Sequence, residues 1–417
     1  MTKKNAIYAQ SGGVTAVINA SACGVIQTAR RHPEKIGTVF AAKNGIIGAL
    51  NEELIDTSLE DDESIAKLLH TPSGAFGSCR YKLKDNAAEF TRLIEVFKAH
   101  NIGYFFYNGG GDSQDTANKV ALMSQAANFP VTCIGIPKTV DNDLPFTDTC
   151  PGFGSVAKYI AISTLEAGFD VASMAASSTK VFILEVMGRH AGWIAASSGL
   201  AGSKKNEPPH IILFPEVPFE PKRFLNRVSE CVKLYGYCVV VVSEGIRNEE
   251  GQFLSDAGLR DAFGHAQLGG VAPIIAGLIK SELNLKYHWA VADYLQRAAR
   301  HIASSVDVLQ AYALGKAAVE LAIDGHNAIM PIIKREQDSP YRWSISHVPL
   351  ADVANIEKTM PADFISDDGM GITDACRRYL APLIQGEAYP PYHQGLPDYV
   401  RLKNQLVVKK LTPVPLN

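Results

Sequence analysis

The sequence has no charge bias. Its 417 residues carry 40 Lys and Arg against 43 Asp and Glu, a formal net charge of −3. That balance gives no electrostatic reason to expect nucleic acid or an anionic membrane as a partner, so a bound anion has to meet positive charge assembled locally. Long apolar runs are also missing: the longest, YCVVVVS at 237–243 and GGVAPIIAGLI at 269–279, are far too short for a membrane span. The opening segment MTKKNAIYAQSGG has no apolar core followed by small-residue cleavage signals, and we expect no signal peptide. Paired cysteines are lacking as well. The seven stand at positions 23, 79, 133, 150, 231, 238 and 376; their odd number and scattered spacing argue against a disulfide framework or a zinc site and fit buried thiols in a reducing cytoplasm. No short-period repeat or low-complexity tract is visible.

What is present reads as a soluble globular chain, 47% hydrophobic and 20% charged, and too long for a single core. Strand and helix signals alternate. NAIYAQ, GTVFAAK, YFFYNG, VTCIGI, KVFILEVMG, HIILFP and YCVVVVSEG read as strands; AAEFTRLIEVFKAHN, DTANKVALMSQAAN, GSVAKYIAISTLEAGFDVA and FEPKRFLNRVSECVKLYG read as helices. Several strands show no polar alternation, as expected for a sheet covered on both faces. The pattern predicts an α/β fold: two Rossmann-like αβα domains with mostly parallel sheets and a site in the crevice between them.

Polar clusters fall at the carboxyl ends of these strands, where open α/β sheets bind ligands. Gly12 and Gly13 follow the first strand and can bring backbone N–H groups to a phosphate, or simply form a tight turn. Asn108 to Thr116 (NGGGDSQDT) makes a glycine shelf at Gly111 with Asp112 and Ser113 at its lip; the carboxylate suits a metal bridging phosphate oxygens, or a helix N-cap. In PKTVDND, an extended backbone would put Thr139, Asp141 and Asp143 on one face with Lys138 beside them. Such a group offers a base, a metal-side acid and a fixed cation for a moving phosphoryl group, or a polar turn. Arg80 in GSCR suits bidentate phosphate binding. Met187, Gly188 and Arg189, Glu244, and Tyr294 and Arg297 with Lys286 upstream offer partners for a sugar phosphate, although each alone reads equally as surface.

Taken together, SGG, GSCR, GGGDS, PKTVDND, MGRHAG, SEG and YLQR, in that order across residues 5 to 325, resemble the phosphofructokinase family. The resemblance implies Mg²⁺-dependent phosphoryl transfer to the 1-hydroxyl of fructose 6-phosphate. It implies Asp141 as the base, with Thr139 touching the moving group and Asp112 and Asp143 on the metal. Gly12, Gly13, Arg80, Gly111, Ser113 and Lys138 then face the donor. Thr139, Val140, Asp141, Met187, Gly188, Arg189, Glu244, Lys286, Tyr294 and Arg297 face the sugar phosphate. Lys180 matches a basic position that reaches the sugar phosphate of a neighbouring subunit, which implies a homo-oligomer. The implied domains are 1–148 with about 299–327 for donor and metal, 149–298 for the sugar phosphate, and 328–417 as an extension packing on the second domain.

The same resemblance bears on the donor. ATP-using members have a glycine where Lys138 stands, and usually a tyrosine where Ile46 stands; pyrophosphate-using members resemble this chain in PKT. Many of the latter have aspartate where this chain has Ser113, a smaller uncharged barrier to which Asp115 adds negative field. Pyrophosphate is the expected donor, with ATP as the alternative. A catalytically silent sugar-phosphate sensor is the alternative of another class, and it would be expected to lack the acid at 112 or 141.

Overall fold

The computed structural model describes residues 3–83, 87–256, 268 and 270–413. Eleven strands build its two main sheets: β1 (Lys4–Gln10), β2 (Ile36–Ala42), β3 (Leu54–Asp56), β4 (Ile102–Gly109), β5 (Thr132–Pro137), β6 (Val181–Val186), β7 (Ile211–Leu213), β8 (Cys238–Ser243), β9 (Tyr287–Val291), β10 (Ile329–Asp338) and β11 (Tyr341–Pro349). The first sheet runs β11-β10-β5-β4-β1-β2-β3, parallel except for the outermost pairs β10–β11 and β2–β3. The second runs β7-β8-β6-β9 and is parallel throughout.

Apolar clusters lie on both faces of each sheet, which is why the central strands carry uninterrupted apolar runs. All six residues of β8 are buried. Each fully buried valine there contributes roughly 1.5–3 kcal/mol of burial free energy. β9, the sheet's open edge, is partly exposed along its length.

The order of the first sheet reverses between β1 and its neighbours β4 and β2, so a crevice opens beyond the carboxyl ends of β1 and β4. The helix Ser305–Ile323 returns to pack on the helix Ile18–Arg31. A methyl group on Gly24 would lie 2.3 Å from the Tyr312 carbonyl oxygen, and one on Gly315 2.1 Å from that of Ser21; only glycine permits this crossing. The returning helix also carries Asp307, whose carboxylate accepts from the backbone N–H groups of Gly152 and Ser155, each at 2.9 Å. That contact satisfies the amino end of the helix Phe153–Met174, which leads into the second sheet.

The extension departs from the expectation that 328–417 packs on the second domain. Its hairpin β10–β11 continues the first sheet through β5. Further on, Cys376, Leu380 and Leu383 pack with Trp193 in the second domain. The chain then returns to the first domain, where Gln405 O accepts from Asp56 N and Leu54 O from Val407 N, both at 2.9 Å. Unpaired sheet edges explain the route: the hairpin covers β5 and the tail covers β3.

Candidate active site

The strand ends of both sheets meet at one cavity of about 650 Å³. The first sheet contributes Ser11 to Gly13, Gly110 to Ser113, and Lys138 to Asp141 with Asp143; the second contributes Met187, Arg189 and Glu244, with Tyr294 and Arg297 from the short helix after β9.

The floor is built at Gly12 and Gly13. Gly12 has φ 71°, a left-handed conformation that disfavours side chains. Its N–H donates to Cys79 O at 2.9 Å, and Ser78 donates to its carbonyl at 2.8 Å, which sets Arg80 beside the floor. A methyl group on Gly13 would lie 2.6 Å from an Arg297 guanidinium nitrogen and 3.8 Å from one of Arg80. Lys138 donates to Gly13 O at 2.7 Å. Three cations from different segments thus converge over two glycines, an arrangement suited to a polyanion. Burial pulls the Lys138 ammonium down to about 7; Arg297 and Arg80 pull the same way, while Asp143 and Asp141 oppose them. Arg297 lies 3.9 Å above the Tyr294 ring.

The helix beyond the glycine shelf begins at Gly111, capped by Gly110 with no side-chain cap bond. Asp112 therefore sits inside the first turn instead of capping it, and its carboxylate accepts from Lys82 at 2.8 Å. The Ser113 hydroxyl lies so close to Gly109 that a methyl group there would stand 2.1 Å from it.

Thr139, Asp141 and Asp143 all line the cavity, but not through the extended alternation expected from sequence. Asp141 N donates to Thr139 Oγ1 at 3.1 Å, and Asn142 turns the chain at φ 55°. The segment is a bent polar turn that delivers both acids to the same space. Burial pushes the Asp141 carboxyl up, with Asp143 and Glu244 adding to it and Arg189 and His190 opposing. Burial and Glu357 push Asp143 up, against Thr139 and Lys358. Among the described residues, no group of three His, Cys, Asp or Glu side chains forms a cage for a metal. Asp112 and Asp143 are instead hard oxygen donors on a cavity wall, which is how Mg²⁺ is usually held, by one or two carboxylates together with phosphates.

Gly188 has φ 130°, and its N–H lies 3.4 Å from Glu244 Oε1. It shapes the Met187–Arg189 turn without lining the cavity itself. Two other expected residues stand elsewhere. Lys286 precedes β9 and Lys180 precedes β6, so both lie at the amino ends of parallel strands, roughly 20 Å of strand away from the cavity. Lys286 donates to Ser178 Oγ at 3.0 Å and Lys180 to Ala175 O. The sequence grouped Lys286 with Arg297, but β9 runs between them and separates them. Ile46 is buried in the first core and does not line the cavity, and Asp115 pairs with Lys119 at 3.1 Å. Sequence reasoning quoted Ser11, Gly110 and His190 inside the motifs SGG, GGGDS and MGRHAG without giving them a role, and missed Asp293, Glu357, Lys358 and Thr359; all seven are on the cavity wall. Asp293 adjoins YLQR, whereas Glu357, Lys358 and Thr359 come from the extension and carry no motif signal.

The Phosphofructokinase family model matches residues 5–322. This chain belongs to the phosphofructokinase family. It is 67% identical over 414 residues, 99% of each chain, to the pyrophosphate–fructose 6-phosphate 1-phosphotransferase of Methylococcus capsulatus. It also resembles the solved pyrophosphate-dependent phosphofructokinase of Marinobacter aquaeolei, with TM-score 0.92 and 65% identity over 98% of this chain and 99% of that one. The corresponding structure from Nitrosospira multiformis superposes with TM-score 0.93 at 63% identity, over 99% and 100%. As a phosphofructokinase-family enzyme it works with a divalent metal, and none of its described helices is long and apolar enough to cross a membrane.

Proposed function

We propose that this chain reversibly transfers a phosphoryl group from pyrophosphate to the 1-hydroxyl of D-fructose 6-phosphate, giving fructose 1,6-bisphosphate and phosphate, in the cytoplasm and with Mg²⁺. The observation that carries the donor choice is Lys138. Its ammonium, donating to Gly13 O at 2.7 Å, lies over the Gly12–Gly13 floor, 3.3 Å from where a methyl group on Gly12 would be. A short polyanion can use this cation as a partner for its leaving group, while an adenosine-linked phosphate would have to share the space. Full-length relatives named as pyrophosphate-dependent enzymes support the same donor.

In this reading Asp141 accepts the proton of the 1-hydroxyl, and Thr139 contacts the transferred group. Gly12, Gly13, Arg80, Gly111, Ser113 and Lys138 hold the donor. Val140, Met187, Gly188, Arg189, Glu244, Tyr294 and Arg297 hold the sugar phosphate. Mg²⁺, at Asp112 and Asp143, supplies charge neutralisation for the phosphate oxygens. The protein's part is alignment in line and a fixed electrostatic environment. Lys180 and Lys286, away from this chain's own cavity, fit a role toward a second copy. The open edge β9, with Trp289 45% and Val291 38% exposed, fits a homo-oligomer.

The test is purified protein with fructose 6-phosphate and Mg²⁺, given pyrophosphate or ATP and followed in both directions. Turnover with pyrophosphate in both directions is expected. Turnover with ATP alone would overturn the donor, and turnover with neither would overturn the enzyme.

A further inference from the structure

The turn that carries Asp141 and Asp143 is held from outside the family's shared segment. The family model ends at residue 322, yet Glu357, Lys358 and Thr359 line the cavity. Lys358 N donates to Asp143 O at 2.6 Å. Its ammonium donates to Thr147 O at 3.0 Å, Asp148 O at 3.1 Å and Asn142 Oδ1 at 3.4 Å. An ammonium has three hydrogens, and these three acceptors use them, so Lys358 has none left for a ligand.

Two more extension residues grip the same turn. Tyr379 OH donates to Asp148 O at 2.6 Å and accepts from Asn142 Nδ2 at 2.9 Å; Arg335 Nε donates to the Asp148 carboxylate at 3.0 Å. The segment reaches the other domain too. Glu357 pairs with His190 at 2.9 Å, and Trp193 Nε1 donates to Lys358 O at 3.4 Å. The strap therefore bridges the acid turn of the first domain and the loop after Arg189 in the second.

We infer that Glu357–Thr359 is an active-site strap, in which Lys358 is the positioning residue that holds Asp141 and Asp143 in place and Glu357 orients His190. The turn needs such support. It pivots on Asn142 in a left-handed conformation and lies outside the sheet ladders, and it brings two acids together. The inference rests on the proposed transfer to fructose 6-phosphate.

Lys358→Met tests it. Misplaced reacting groups cost up to roughly 100-fold, and loss of supporting contacts around a site commonly costs about 10–100-fold. We expect kcat to fall about 10–100-fold while both KM values stay within about threefold, with the variant still folded by thermal melting. A kcat within about threefold of the parent, or KM values rising in step with the loss of kcat, overturns the inference. If Lys358→Met does not fold, Glu357→Ala decides, because Glu357 is exposed. A fall of roughly tenfold in kcat/KM for the sugar phosphate is expected, and an unchanged value overturns the inference. A parent with no phosphoryl transfer fails the functional reading, whereas an active parent matched by its variants fails the strap alone.

Discussion

Replacing Lys138 with methionine should raise stability and abolish pyrophosphate use, each with its own pH signature. The ammonium is pulled from 10.5 to about 7 by burial, by Arg297 and by Arg80, against the pull of Asp143 and Asp141. That displacement corresponds to a ceiling of about 5 kcal/mol of native-state cost. Methionine removes that cost but leaves Gly13 O without its donor, a loss of about 1–3 kcal/mol. The net expectation is a gain of roughly 2–4 kcal/mol, seen as a Tm several degrees higher. The sign follows from proton counts. Below about 7 both states hold the lysine proton and the cost is full. Between about 7 and 10.5 the unfolded chain binds the proton and the native state does not, so parent stability rises with pH. The Tm advantage of Lys138→Met should therefore be largest near pH 6 and shrink steadily toward pH 10. In kinetics, kcat/KM for pyrophosphate in the parent should fall about tenfold per pH unit above about 7. The corresponding limb in kcat should lie at higher pH, because bound pyrophosphate favours the charged lysine. A parent profile flat from pH 6 to 9, or a Tm difference independent of pH, would refute the reasoning.

Asp141→Asn should lower kcat by roughly 10²–10⁴ with a much smaller change in sugar KM, measured in the coupled assay. Because burial, Asp143 and Glu244 hold the Asp141 carboxyl above its ordinary value, the native state keeps a proton that the unfolded chain has lost. Stability of the parent then falls as pH rises through that window, so the variant should gain Tm at pH 8 and not at pH 4. Glu52→Gln should free the C-terminal tail. The Glu52 carboxylate accepts from Lys410 N at 2.6 Å, Leu411 N at 3.0 Å and His100 at 2.5 Å. Burial pushes it up, but Lys410, His100 and Leu411 together outweigh burial and hold it below its ordinary value. The stabilisation is present above about 4.5, the unfolded value, and is lost as pH falls through the folded one. Limited proteolysis near residues 404–411 should speed up in the variant at pH 7, and in the parent only in acid.

The sheets were legible because burial on both faces writes itself into a strand as an unbroken apolar run, as in Cys238–Ser243. Their order was not, since pairing partners lie far apart in sequence; nothing local marks β10 as the neighbour of β5. Gly12, Asp112, Lys138, Asp141, Arg189, Glu244 and Arg297 were readable as a set because parallel strands bring their carboxyl ends to one crevice. The same rule misplaces Lys286, which precedes its strand. Lys358 could not be found that way. It stands in a loop without glycines or a preceding parallel strand, and its role appears only when Asn142, Thr147 and Asp148 fold over it.

The net charge of −3 conceals a separation of charge inside the cavity. Lys138, Arg80 and Arg297 crowd the glycine floor, and burial draws Lys138 and Arg297 toward neutrality. Asp141, Asp143 and Glu244 gather on the other side, where burial draws all three toward neutrality as well. Asp143 and Asp141 favour the Lys138 charge, and Arg189 favours that of Asp141, but in both cases burial outweighs them, so the desolvation of these groups is only partly compensated. An anionic donor beside Lys138 and a divalent metal beside the acids would each add counter-charge. Part of the binding energy of donor and metal is therefore already stored in the ligand-free fold, and substitutions that neutralise either group should exchange binding for stability.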